Sequence, residues 1–392
     1  MNDIFSGMPR SLHITRITAT PIVVPSRPDS IMSPQLEDDW SKAPGIGKST
    51  GQSTAKLAEL PKYILRVESD RGLIGLGETY RDVNVENLRR NARALVGTNA
   101  LDLRWSALPF PEDREYDGFE LAIYDLAGKA LELPVYQLLG GRCRDRVECS
   151  MWTGRRTPAD AGRKAFEGMQ RGFDTIKFKC NQHDDVTSWA REVQDRCGPG
   201  MKMIFDPNQR WDPYQFAVEQ MQKLKRGGFN VLGIEDPLNR QSLSDYRKLR
   251  EIGLNVVLHV ALPYCAYGQR AEDAVRGLKE EALDAFNFNG SMASFVRLAD
   301  LAHLAEKPCW HGSEVDLGLL EAGYIHASAA APACTWPSDI FGRLVREHDL
   351  LKTPLQFDGK NIVVPTAPGL GVELDDAAVE KYRTGDDIDL VL

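Results

Sequence analysis

The chain has 392 residues, a formal net charge of −8, 42% apolar residues and 27% charged residues. This is the composition of an ordinary globular protein, long enough for a barrel with a smaller domain added. The acidic excess argues against a nucleic-acid partner, whose phosphates need a basic face. No apolar run approaches the roughly 18 residues of a spanning helix, so no membrane segment is expected.

Seven cysteines stand at 143, 149, 180, 197, 265, 309 and 334, with no CxxC pair. Met1 to Arg10 lacks a basic stretch followed by an apolar core. A reduced, cytoplasmic protein is the simplest expectation.

In chain order, Ile14–Val24 alternates as a strand, and residues 25–60 are rich in Ser, Pro, Gly, Asp and Lys, the composition of a long loop. Tyr63–Glu68 and Leu73–Glu78 flank Ser69-Asp70-Arg71-Gly72, a hairpin signal. The glycines at 72, 75 and 77 imitate a phosphate loop but open no helix at the right place. Helices are predicted over 83–96 and 117–132.

From Val147 the pattern becomes strand–helix repeats of roughly 25 to 30 residues, the size of a βα unit. The predicted strands are Val147–Trp152, Thr175–Cys180, Met201–Asp206, Val231–Glu235, Asn255–Val260, Asp284–Asn289 and Pro308–His311. Polar residues ending successive strands favour a barrel over a doubly wound sheet, because barrel enzymes carry their chemistry at those ends.

Those ends can be read for chemistry. Lys177 and Lys179 are two residues apart, so a strand puts both on one face. Two ammonium groups that close depress each other's pKa, which would suit one of them as a base. Asp206 and Glu235 end the next two strands and converge on one point, a pattern of hard oxygen ligands that suits Mg²⁺. His311 ends the seventh strand, opposite the lysines, and is a candidate catalytic residue.

These residues resemble the enolase superfamily, in its mandelate racemase and muconate lactonizing branch. The block from Phe119 to Gly141, containing Asp125, Gly128, Lys129 and Pro134, is similar to that branch's link between capping domain and barrel. Lys177/Lys179 resemble its KxK pair, Asp206/Asn208 its DxN, and Glu235-Asp236-Pro237 its E-[DE]-P motif. Pro368-Gly369-Leu370-Gly371 resembles its C-terminal motif.

The resemblance implies an α/β fold: a modified (β/α)7β TIM-type barrel with an α+β capping domain built from the N-terminal segment and the C-terminal tail. The expected divisions are 1–140 for the cap, 141–360 for the barrel and 361–392 for the returning tail. It implies removal of the proton alpha to a carboxylate by Lys179, helped by Lys177, with one Mg²⁺ per subunit stabilising the enediolate. It also implies a small-molecule carboxylate substrate and a homo-oligomer.

The match departs at two strand ends. Val260 falls where a third acidic ligand is expected, leaving the adjacent His259 as a doubtful ligand that should face away if Val260 faces in. Asn289 falls near the position of an Asp or Lys on the sixth strand. Without a carboxylate partner, His311 is a poorer base, which favours a general-acid role and dehydration of a hydroxy acid or sugar acid. Racemase, epimerase and cycloisomerase are the alternatives. Asn208, Asn289, Trp152, Arg155 and Asp339 are candidate substrate-binding residues, with Arg156, Glu314 and Asp316 as further options. Arg27, Asp38, Asp39, Lys42 and Lys48 are available on the capping loop. A Schiff-base barrel enzyme using Lys179, and a non-catalytic descendant, are readings from other classes.

Overall fold

A computed structural model describes residues 11–36, 59–81, 83–239, 243–261 and 271–392. Strands β1 (Ile14–Val23), β2 (Pro61–Ser69) and β3 (Ile74–Glu78) form an antiparallel sheet joined at its β1 edge by the tail strand Ile388–Asp389. Gly72, at φ 71°, makes the β2–β3 turn, where its N–H donates to the carbonyl of Ser69. The glycines that imitate a phosphate loop serve packing. A Cβ on Gly75 or Gly77 would overlap the carbonyls of Ala122 or Gly118 on the helix Tyr116–Leu131.

A three-residue strand, β4 (Arg146–Glu148), pairs antiparallel with Asn361–Val363. The large sheet then begins. It runs β5 (Met151–Thr153), β6 (Thr175–Lys179), β7 (Lys202–Asp206), β8 (Val231–Glu235), β9 (Val256–Ala261), β10 (Ala285–Asn289) and β11 (Cys309–His311). All seven are parallel and neighbour one another in chain order. The sheet curls back on itself through the segment 333–339. That segment bridges Cys309 through Cys334 and Cys149 through Ser338, both in parallel sense. The N–H of Cys309 donates to Ala333 and that of Ser150 to Ser338. The extended segment thus takes the eighth place between β11 and β5.

Local chemistry sets the helices between the strands. Thr157 accepts from the N–H of Asp160 and Pro158 occupies the first turn, which starts Pro158–Gln170. Val186, Trp189, Ala190 and Val193 recur at helical spacing and bury the inner face of Val186–Cys197 against the sheet. On β6, Ile176 and Phe178 point into that apolar layer, so Lys177 and Lys179 must point to the barrel axis.

One sequence expectation changes. The predicted strand Val147–Trp152 is two strands, interrupted at Cys149 and Ser150, which bond instead to Lys360 and Ser338. The eighth strand of a (β/α)7β barrel has no visible signal in the sequence: Ala333–Asp339 contains Pro337 and no alternating pattern. The capping-loop candidates Asp38, Asp39, Lys42 and Lys48 lie outside the described residues, whereas Arg27 is described and donates to the carbonyl of Glu347.

Candidate active site

Inward-facing residues of β6, β7 and β8 meet in one buried cluster. Lys177 Nζ lies 2.6 Å from Glu235 Oε2, 2.6 Å from Asp339 Oδ2 and 3.4 Å from Asp206 Oδ2. Lys179 Nζ donates to Asp206 Oδ2, and the N–H of Asn208 donates to Asp206 Oδ1 at 3.0 Å. The side chain of Lys177 is 1% exposed, that of Lys179 20%, so only Lys179 of the pair reaches the opening.

The electrostatics follow from burial and crowding. Burial alone would pull Lys177 down, but Asp339, Glu235 and Asp206 outweigh it and hold the ammonium above its ordinary value. The expected mutual depression of the lysines is therefore overturned for Lys177: carboxylates, not Lys179, dominate its surroundings. Burial works against ionised Asp206 too, yet Lys179 and Lys177 hold it well below the usual carboxylate range. Glu235 is pushed up to about 8, first by burial and then by the charge of Asp206. Three carboxyl groups thus face two ammonium groups, and the cluster balances at neutral pH with Glu235 holding a proton; ionising Glu235 as well would call for a further cation.

Backbone strain gathers at the same rim. Asn208, Gln209 and Asp236 have φ of 46°, 63° and 44°, the left-handed region that side chains with a Cβ seldom adopt. Gln209 N–H donates to the carbonyl of Asp236, and Asp236 Oδ1 accepts the N–H of His259, so the strained turns brace one another.

The structure corrects the reading of β9. His259 faces inward and Val260 outward into the apolar layer, the reverse of the expected alternation. His259 Nε2 lies 3.0 Å from Asn289 Oδ1, and its Nδ1 lies 3.4 Å from Glu235 Oε1. Burial lowers the imidazole to about 4, so it is neutral at pH 7. On β10, Asn287 and Asn289 both face inward, and Asn287 Nδ2 donates to Glu235 Oε1 at 2.9 Å. Asn287 escaped the sequence reading; its two-residue spacing from Asn289 was the available signal.

His311 is the larger correction. Its ring is fully buried between Phe295, at 4.3 Å, and Tyr324, at 4.1 Å, both on helices outside the sheet. Nδ1 donates to the carbonyl of Gly312. The neighbour Trp310 faces the axis instead, 5.6 Å from Lys177 Nζ. His311 cannot serve as acid or base for a substrate held by the lysines.

Of the binding candidates, Asp339 joins the cluster through Lys177, and its N–H donates to the carbonyl of His311. Trp152 stacks on Phe341 at 4.6 Å in a small apolar group with Ile31. Arg155 is held by Asp184 through both its Nε and Nη2, and Arg156 by Asp29, so neither guanidinium points freely into the mouth. Asp316 and Glu314 belong to cap contacts with Lys62 and Arg81.

Among the described residues, no three His, Cys, Asp or Glu side chains form a metal-ligating group. The donors nonetheless suit a magnesium-like ion. Asp206 and Glu235 already surround one cation, the Lys177 ammonium, and a buried amide oxygen without a partner, Asn287 Oδ1, lies beside Glu235. Mg²⁺ commonly takes only one or two carboxylates and completes its shell with waters or substrate.

Residues 160–378, more than half of the chain, match the family described as "Enolase C-terminal domain-like". The chain belongs to the enolase superfamily, in its mandelate racemase and muconate lactonizing branch. This enolase-superfamily chain is 26% identical over 274 residues to muconate cycloisomerase 1 of Acinetobacter baylyi, covering 67% of itself and 71% of that enzyme. It is 26% identical over 365 residues to D-gluconate dehydratase of Thermoproteus tenax, covering 82% and 69%. The crystal structure of N-succinyl Arg/Lys racemase from Bacillus cereus superposes with a TM-score of 0.80 at 21% identity, over 96% of this chain and all of that one. Those relatives span cycloisomerase, dehydratase and racemase names, so the superfamily is fixed and the overall reaction is not.

Proposed function

We propose that the chain removes the proton alpha to the carboxylate of a small hydroxy acid and completes the reaction by eliminating water. The observation that carries this is the placement of Lys179 at the mouth of the pocket, directly above the Asp206–Glu235 cluster. A divalent cation held by Asp206 and Glu235 would supply electrostatic stabilisation to the second negative charge of the enediolate. Lys177, a permanent buried cation, neutralises the carboxylates beneath and keeps them ordered.

Lys179 acts as base only if its ion pair with Asp206 is weakened, because an ammonium on a bare carboxylate keeps its proton. Lys177 already shares the same oxygen, Asp206 Oδ2. Having taken the proton, Lys179 is the ammonium beside the substrate and can return it to a departing hydroxyl. With His311 outside the barrel, this one-group elimination needs no second acid. The polar inward residues of β10, Asn287 and Asn289, are amides, which do not serve as a second base.

Epimerisation is the second reading, and His259 is the observation that favours it: an inward-facing neutral imidazole within the pocket. We place the enzyme in the cytoplasm as a homo-oligomer, on its free cysteines and the resemblance; among the described residues no helix is long and apolar enough to cross a membrane.

The test is a panel of sugar acids and other hydroxy acids in D₂O with Mg²⁺, followed by proton NMR. Loss of an α-proton signal with formation of a keto-deoxy product is expected for at least one acid. Lys179→Met should lower that rate by at least about a hundredfold. Exchange without dehydration would favour epimerisation. No exchange with any acid would remove the enzymatic reading, and wild-type exchange in Lys179→Ala would remove Lys179 as the base.

A further inference from the structure

Asn287 presents a problem that its surroundings do not solve. It is 1% exposed, its Nδ2 donates to Glu235 Oε1 at 2.9 Å, and its Oδ1 has no partner. A buried carbonyl acceptor left unpaired costs about 1–3 kcal/mol. That oxygen also sits badly: a Cβ placed on Gly312 would touch the amide oxygens of both Asn289 and Asn287, so two like-charged ends of amide dipoles border the same small space.

Turning the Asn287 amide by half a rotation exchanges its nitrogen and oxygen with almost no change of shape. The nitrogen would then face Asn289 Oδ1, a donor opposite an acceptor. The oxygen would stand next to Glu235 Oε1. Two oxygens at that separation repel unless a metal ion, or a proton on Glu235, joins them. The 2.9 Å between the amide atom and Glu235 Oε1 equals the edge of an octahedron whose ligands lie about 2.0–2.1 Å from Mg²⁺.

All but one of the other third ligands are already committed. Both oxygens of Asp339 are engaged, by Lys177 and Ser150. His259 is bonded to Asn289 through Nε2; its Nδ1, 3.4 Å from Glu235 Oε1, is the one competing donor among the described residues. Val260 lies in the apolar layer.

We propose that Asn287, on the sixth barrel strand, supplies the third protein oxygen to a divalent cation held by Asp206 and Glu235, by turning its amide over. The proposal rests on the reading of that pair as cation ligands. It explains why no third acid is required on β9, and it makes the amide a two-state element: nitrogen toward Glu235 without the ion, oxygen toward it with the ion.

Mn²⁺ binding to the full-length, substrate-free protein, followed by electron paramagnetic resonance, separates ligation from mere positioning. If Asn287 is a ligand, Asn287→Asp adds a charged oxygen and should bind Mn²⁺ at least about tenfold more tightly than wild type, while Asn287→Leu binds at least about tenfold more weakly. If Asn287 only orients Glu235 through its N–H, the aspartate repels Glu235 and weakens binding, which overturns the proposal. Unchanged binding in either variant overturns it as well. Should the leucine variant not fold, the sign of the aspartate effect still decides. A folded wild type that takes up no Mn²⁺ at millimolar concentration would instead remove the cation reading on which the proposal stands.

Discussion

Trp310 and His311 are adjacent, but one faces the lysines and the other is sandwiched between two aromatic rings behind the strand. Burial holds His311 at about 4, below the ordinary value of 6.5. The folded state therefore refuses a proton that the unfolded chain accepts. The stability associated with this group is full above pH 6.5 and is lost as pH falls toward 4, by up to about 3 kcal/mol. His311→Phe, which preserves the stack, should flatten the fall in denaturation free energy between pH 6.5 and 4 by about one proton's worth. It should also leave α-proton exchange near the wild-type rate, whereas a catalytic histidine would lose it.

At the scale of elements, the sequence is most legible where a period repeats. The βα repeat locates all seven sheet strands to within a few residues, and the two-residue step from Lys177 to Lys179 discloses their common face. Legibility fails where an element is too short to show a period. The three residues of β11 cannot indicate which way His311 points, and on β9 the alternation is known only once its partners are. Amides such as Asn287 carry no charge signal and pass for ordinary polar residues. The tail motif shows the opposite case, a sequence signature with a clear local cause. Asp125 accepts the N–H groups of Leu76 and Leu370 and pairs with Lys129 at 2.6 Å, tying β3, the long helix and the tail together. Gly369, at φ 70°, passes so close that a Cβ would overlap Asp125 Oδ1. Gly369→Ala combines this clash with a left-handed backbone and should cost about 2–4 kcal/mol in chemical denaturation. A loss under 1 kcal/mol would show that the tail can slide away without consequence.

At the scale of the whole molecule, the smaller sheet and the barrel are joined by buried charge. Lys62 of β2 lies 2.8 Å from Glu78 of β3 and 2.5 Å from Asp316, which follows β11. Glu78 accepts the N–H groups of Leu317 and Leu320 at the start of the helix Gly318–Ala330, and Tyr324 donates to Asp316. These partners are far apart in the chain, which is why no local pattern announces them. Lys62→Met would strand two carboxylates and should destabilise the protein by about 3–5 kcal/mol. Combining it with Glu78→Gln and Asp316→Asn should recover much of that loss in the same melting experiment. If the triple variant is as unstable as the single one, packing rather than charge holds the two parts together.

The segment 333–339 also sets an order of assembly. Its seven residues bridge the two edges of the curled sheet, and its final residue, Asp339, is one of the carboxylates on Lys177. The same stretch thus latches the ring and balances the charge at its centre. A nascent chain that has emerged only as far as β11 holds the lysines, Asp206 and Glu235 but neither the latch nor the third carboxylate. The buried cluster therefore reaches its finished electrostatic state only when the circle is shut.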